Sequence, residues 1–196
     1  GRARLKLKLG TILVGDRRFA EAQKLLNEAS AVWVSEPVRY RREMVEEVGA
    51  QAYLFNLTGK RDDAIRVIDD NLSDAEQVYF AHSRDLVSRY SQLIRYLIEE
   101  RRFDQAKDTA ERGYRVLIGR GQSHSGPGLS LLRIQAGIAV EQGNYEQAER
   151  LLSEICMQRR AKFGPSLELA VDLLHYGRLL NKTDRPAQAL QLLNEA

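Results

Sequence analysis

The sequence predicts an all-α protein, a solenoid of about five stacked helical hairpins. Three observations carry that prediction. Only four prolines stand in 196 residues, while Ala, Leu, Glu, Gln and Arg, all good helix formers, are plentiful. A short motif recurs five times in nearly constant register. After each copy, apolar residues fall at the i, i+3, i+4 spacing of a helix with one buried stripe.

The five copies are Gly15-Asp16-Arg17-Arg18-Phe19-Ala20-Glu21-Ala22, Gly59-Lys60-Arg61-Asp62-Asp63-Ala64, Arg101-Arg102-Phe103-Asp104-Gln105-Ala106, Gly143-Asn144-Tyr145-Glu146-Gln147-Ala148 and Asp184-Arg185-Pro186-Ala187-Gln188-Ala189. Their shared alanines, Ala22, Ala64, Ala106, Ala148 and Ala189, lie 42, 42, 42 and 41 residues apart. A second column stands before them: Gly10, Ala52, Ile94, Ala136 and Gly177, small in four of five copies. Small residues let two helix backbones approach closely. Three and four residues after each alanine come Leu25-Leu26, Val67-Ile68, Thr109-Ala110, Leu151-Leu152 and Leu192-Leu193. Each unit therefore reads as two helices. The first carries the small residue in its middle; the second begins at the turn residue (Phe19, Phe103, Tyr145, Pro186) and buries its alanine against the first.

Approximate repeats run over 1–35, 36–80, 81–122, 123–164 and 165–196, within one domain. Pro37, Pro127 and Pro165 are placed in the connections before first helices, and Pro186 opens a second helix, where its missing N–H is harmless. Trp33, ending a second helix, is expected to pack on the next hairpin, the alternative being an exposed contact patch. The longest break, Gly119 to Gly128, holds four glycines and two serines and reads as a mobile surface loop. The chain opens without methionine and stops inside a helical pattern, which reads as a piece of a longer protein.

The two columns, the Gly-x-[Tyr/Phe]-x-x-Ala turn and the two-helix unit resemble the tetratricopeptide repeat. The period of about 34 residues usual for that family is shorter, so the resemblance is to the long variety found in kinesin light chains and bacterial signalling proteins. Phe163-Gly164-Pro165-Ser166-Leu167-Glu168 also resembles the entry to such a repeat. The chain departs from the family pattern at Ile94, bulky where a small residue is usual, and at Arg61, which replaces an aromatic. The resemblance implies a right-handed superhelix with a concave groove lined by first helices. It also implies a scaffold that binds a protein or peptide there.

By the same resemblance the groove-lining candidates are Tyr53, Asn56, Gln92, Arg95, Arg133, His175, Arg178 and Lys182. Arg95, Arg133 and Arg178 come from three consecutive first helices, and planar guanidinium groups suit carboxylates on an acidic or amphipathic segment. The alternative for each arginine is a wet helix surface paired with a nearby acid such as Glu99 or Glu141. Tyr53 beside Gly49 reads either as an aromatic anchor in a shallow pocket or as half-buried packing. The two-carboxylate clamp of chaperone-binding family members is missing: Leu7 and Thr11, then Gly49 and Tyr53, stand where it would need lysine and asparagine.

Catalysis finds little support. His82, His124 and His175 lack the spacing that would put metal ligands on one helix face. Cys156 follows Leu151, Leu152 and Ile155 and reads as packing; a single cysteine fits a reducing compartment, with cytoplasm the default. No cofactor motif occurs, and no catalytic or metal site is expected. The net charge of +3 is small for nucleic-acid binding. The basic runs Arg2 to Lys8, Arg39 to Arg42 and Arg159 to Lys162 read as solvated helix faces. No apolar stretch is long enough to span a membrane. The leading expectation is a non-enzymatic peptide-binding scaffold. Its rivals are a ligand-sensing region of a larger signalling protein or transcription regulator, and self-association through exposed end helices.

Overall fold

The computed structural model describes residues 1–79 and 83–194. His82, expected at a helix start, lies outside them. Ten α-helices form among the described residues: α1 (Arg2–Gly15), α2 (Phe19–Ser35), α3 (Arg41–Leu57), α4 (Arg61–Val78), α5 (Ser83–Glu99), α6 (Phe103–Gly119), α7 (Gly126–Glu141), α8 (Tyr145–Phe163), α9 (Leu167–Lys182) and α10 (Pro186–Asn194). The chain divides into two compact units, Gly1–Glu100 and Arg101–Ala196. In the first, α1 packs on α2 and α3 on α4, with further packing of α2 on α3 and α4 on α5. In the second, α7 packs on α8 and α9 on α10, with α6 against α7 and α8 against α9.

Both columns seen in the sequence are buried. Ala22, Ala64, Ala106 and Ala148 are fully covered and Ala189 is 2% exposed. Gly10, Ala52, Ile94, Ala136 and Gly177 are all buried as well. The reason for the small residues is visible at Gly10, where an added Cβ would lie 3.1 Å from the Leu26 side chain, and at Gly177, where it would lie 3.3 Å from Leu193. In the first and last hairpins the leucine one turn after the column alanine, Leu26 or Leu193, thus presses on the glycine of the preceding helix. Trp33 packs into the core of the first unit at 1% exposure and meets Tyr40 in a tilted ring contact with centroids 5.0 Å apart. On the outside of the same unit α1 exposes Leu5, Leu9 and Ile12 along one stripe.

The turns within hairpins are held by backbone. The residue five before each column alanine is left-handed: Arg17 (φ 60°), Gly59 (78°), Arg101 (57°), Gly143 (75°) and Asp184 (59°). At four of these turns the residue that follows donates its N–H five residues back, Arg18 to Leu13, Lys60 to Phe55, Asn144 to Ala139 and Arg185 to Leu180, at 2.8–2.9 Å. A left-handed residue closing a helix with this backward bond is the Schellman arrangement. Two of the helices that begin repeats, α7 and α9, are capped by a side chain: Ser125 Oγ accepts from Gly128 N, and Ser166 Oγ from Leu169 N, each at 3.2 Å.

Two expectations about the glycine-rich break need correction. Gly119 ends α6 and Gly126 begins α7, so the connection is only residues 120–125. Pro127 stands in the first turn of α7 and not in the connection, because a proline costs nothing where the N–H has no helical partner. Gly128 is needed there: a Cβ would come within 2.1 Å of the Ser123 carbonyl oxygen.

Ala148→Leu should overpack the α7–α8 contact and lower stability by about 1–3 kcal/mol, read from denaturant unfolding. Arg17→Gly should act oppositely, gaining about 0.5 kcal/mol by relieving a left-handed non-glycine residue, read from the same unfolding midpoint.

Candidate functional site

The groove residues expected in the first unit are mostly occupied by internal contacts. Tyr53 on α3 is half-buried against the core of the first hairpin. Asn56 Oδ1 accepts from Arg61 Nε at 3.0 Å. Arg61 also reaches Glu99 at 3.2 Å and Glu100 at 2.6 Å, so the residue standing where an aromatic is usual ties α4 to the end of α5 by charge. Gln92 donates to the Gly49 carbonyl at 3.3 Å and to the Tyr96 hydroxyl at 3.2 Å, and accepts from Arg89 at 2.9 Å. Arg95 is exposed with its guanidinium 5.0 Å from the Tyr96 ring centroid and is not paired with Glu99, which Arg61 takes.

No pocket opens beside Gly49. The Arg89 guanidinium occupies the space, so that a Cβ on Gly49 would lie 2.2 Å from Arg89 Nη1, and Arg89 Nη2 donates to the Val45 carbonyl at 3.1 Å. The anchor reading of Tyr53 therefore loses its cavity. An arginine from the next first helix fills it.

The second unit brings its four candidates together. Arg133 on α7 and His175, Arg178 and Lys182 on α9 border one groove of about 240 Å³. The spacing explains the convergence. Arg133, Gly137, Val140 and Glu141 lie on one face of α7, and His175, Arg178, Leu179 and Lys182 on the facing stripe of α9. Val140, Leu179 and, from α8, Leu152 supply apolar surface. Leu152 and Leu179 are each 2% exposed and so form a fixed floor. Gly137 presents no side chain, and a Cβ there would meet nothing within 4 Å. Sequence reasoning missed this floor, since Leu152 comes from a second helix; its place one turn after Ala148 is the signal that could have found it.

Three cations and an imidazole thus face one lining carboxylate, Glu141. Arg178 has no ion-pair partner among the described residues. Lys182 Nζ lies 5.6 Å from the Tyr145 ring centroid, which favours a fixed position. Arg133 is paired, not with Glu141 on its own helix but with Asp172 on α9, Nη1 to Oδ1 at 2.8 Å. Asp172 is fully buried and also accepts from Arg159 Nε. Arg159, 3% exposed, corrects the expectation that its basic run is a solvated face. The other two runs do lie on the surface, with Lys6 on Glu28 at 2.7 Å and Arg42 on Glu46 at 3.0 Å.

His175 is held below the ordinary imidazole range, first by lost hydration against the groove wall and then by Arg133 and Arg178, with Asp172 pulling the other way. The remaining groups with chemical potential are quiet. His124 Nδ1 sits 2.6 Å from Gln158 Oε1 on the surface. Cys156 is buried, and burial with Asp172 nearby pushes its thiol up to about 11. Among the described residues no group of three metal-ligating side chains comes together, and no helix is long and apolar enough to cross a membrane.

No protein-family profile matches the sequence, and no curated protein does. Solved structures match well in shape. Kinesin light chain TPR-like repeats from Podosopora anserina share 15% identity, with 99% of this chain and 93% of theirs covered at a TM-score of 0.73. The apo form of RapI covers all of this chain and 69% of its own at 13% identity and a TM-score of 0.78. A signal-transduction ATPase of the STAND class with a tetratricopeptide repeat sensor, from Pyrococcus horikoshii, covers 97% of this chain and 30% of its own, at 16% identity and a TM-score of 0.67.

The thiol makes a direct check on the second unit. In the native protein at pH 8, Cys156 should resist alkylation by iodoacetamide and become reactive on unfolding, because the thiolate is the nucleophile; rapid native labelling would contradict its burial. The helix order, the buried alanine column and these structural likenesses agree: by fold, the chain is an all-α array of tetratricopeptide-like helical hairpins.

Proposed function

We propose that this is a non-enzymatic protein-binding repeat region, and that the α7–α9 groove of its second unit takes an acidic, partly apolar peptide segment. The observation that carries the reading is the meeting of Arg133, His175, Arg178 and Lys182 around an apolar floor, against the single lining acid Glu141. A carboxylate-bearing segment complements that charge, and a neighbouring aliphatic side chain can settle on Leu152, Val140 and Leu179. An open groove without a nucleophile–base pair offers binding and no route to bond breaking. Arg95, Tyr53, Asn56 and Gln92 are proposed only as secondary contacts, since internal bonds or packing already engage them.

A second reading has one observation in its favour. The Pyrococcus horikoshii protein similar in fold carries its repeats as a sensor; the region described here would then bind an effector on behalf of a larger signalling protein. The groove and its charge serve either reading, and the size of the ligand separates them.

The test uses a fluorescent peptide alternating glutamate and leucine. The wild-type chain should bind it, more weakly as salt is raised, and Arg178→Ala/Lys182→Ala, both exposed, should lose about tenfold in affinity with unchanged melting. Equal affinity in the two proteins would sink the groove assignment. Acidity should also matter. His175 starts below its ordinary range among Arg133, Arg178 and Asp172, and an anionic ligand draws its pKa back up, so binding takes up a proton. Affinity should therefore rise as pH falls from neutrality through the His175 midpoint, as measured by anisotropy, and His175→Gln should abolish that rise.

A further inference from the structure

Two guanidinium groups share one buried carboxylate behind the groove. Asp172, fully buried on α9, offers Oδ1 to Arg133 Nη1 at 2.8 Å and Oδ2 to Arg159 Nε. The Arg133 side chain is 24% exposed and borders the groove, whereas that of Arg159 on α8 is 3% exposed and lies outside the groove lining. Arg159 Nη2 has no hydrogen-bond partner at all. The trio carries one surplus positive charge, and burial decides where that surplus is felt. A charge removed from water needs its counterion far more than one that keeps part of its hydration. Asp172 is therefore committed chiefly to Arg159, and the surplus is presented by Arg133 to the groove.

We propose that Arg159 is a positioning residue for the groove: by claiming Asp172 from behind, it keeps Arg133 available to a ligand carboxylate. The inference rests on the groove being an acidic-segment site. Without Arg159, Asp172 could turn both oxygens to Arg133 in the paired geometry that arginine and carboxylate favour, and the groove would lose its deepest cation. His175 lies beside both groups, with Arg133 lowering its pKa and Asp172 raising it, so its titration reports the balance between them. A purely structural role for Arg159, tying α8 to α9, would make no such link to the groove.

The test reads the groove potential through the His175 imidazole, by NMR titration of the full chain with the signal assigned through His175→Gln. In the wild type its midpoint should lie below that of the urea-unfolded chain; a midpoint at or above the unfolded value overturns the proposal. Arg159→Met should raise the midpoint by about 0.3–0.5 pH units and weaken binding of the glutamate–leucine peptide roughly three- to tenfold, while Arg159→Lys, which keeps the charge, restores most of both. A folded Arg159→Met chain that loses only thermal stability, with midpoint and affinity unmoved, overturns it. Should Arg159→Met not fold, Arg133→Met decides, since it leaves a matched Asp172–Arg159 pair. The midpoint must then rise, and an unmoved one shows that Asp172 had already cancelled Arg133. If the midpoints shift as expected while the wild type ignores the peptide, the charge placement stands and the acidic-segment reading alone falls.

Discussion

The contact between a buried alanine on each second helix and the middle of the first helix is the constraint on which the hairpins depend. An alanine at that position brings two helix axes close enough for the leucine one turn later to press on a residue with little or no side chain, as Leu26 does on Gly10 and Leu193 on Gly177. Close packing of this kind is intolerant of added volume, because the interior has no spare space to yield. It also explains the fixed spacing. If the alanine must meet the same level of the first helix in each hairpin, the chain length between successive alanines has little freedom.

Much of the fold is legible in the sequence for that reason. Each copy of the motif is weak by itself, but five copies in register turn small preferences into a pattern, and the starts of α2, α6, α8 and α10 fall at Phe19, Phe103, Tyr145 and Pro186 as read. Boundaries set by geometry were harder. Whether Pro127 ends a loop or opens a helix depends on Ser125 capping the chain just ahead of it, and composition reports only that glycine and serine are abundant.

The site is legible in part. Arg133, His175, Arg178 and Lys182 fall on two helix faces that periodicity defines, so their orientation could be read. Their surroundings could not. Leu152 reaches the floor from another helix, Arg159 meets Asp172 through a stacking offset that no local pattern reports, and Gly49 receives Arg89 from the next first helix. Such pairings depend on how hairpins settle against one another, which is a property of tertiary packing. They also change what the candidates can do: Gln92 and Asn56 are occupied by internal bonds, while Arg178 projects with no ion partner among the described residues.

The backbone-closed turns have a consequence for how such a chain can change over time. Where a helix is stopped by its own carbonyl and amide groups, the side chains at the stop carry few duties beyond tolerating a left-handed bend, and arginine, glycine and aspartate all serve here. Sequence can therefore drift at the very places that punctuate the fold, at small cost to the architecture. A chain built in this way can keep its shape while its lettering diverges past recognition, which accords with solved structures that superimpose closely at 13–16% identity while no sequence profile matches.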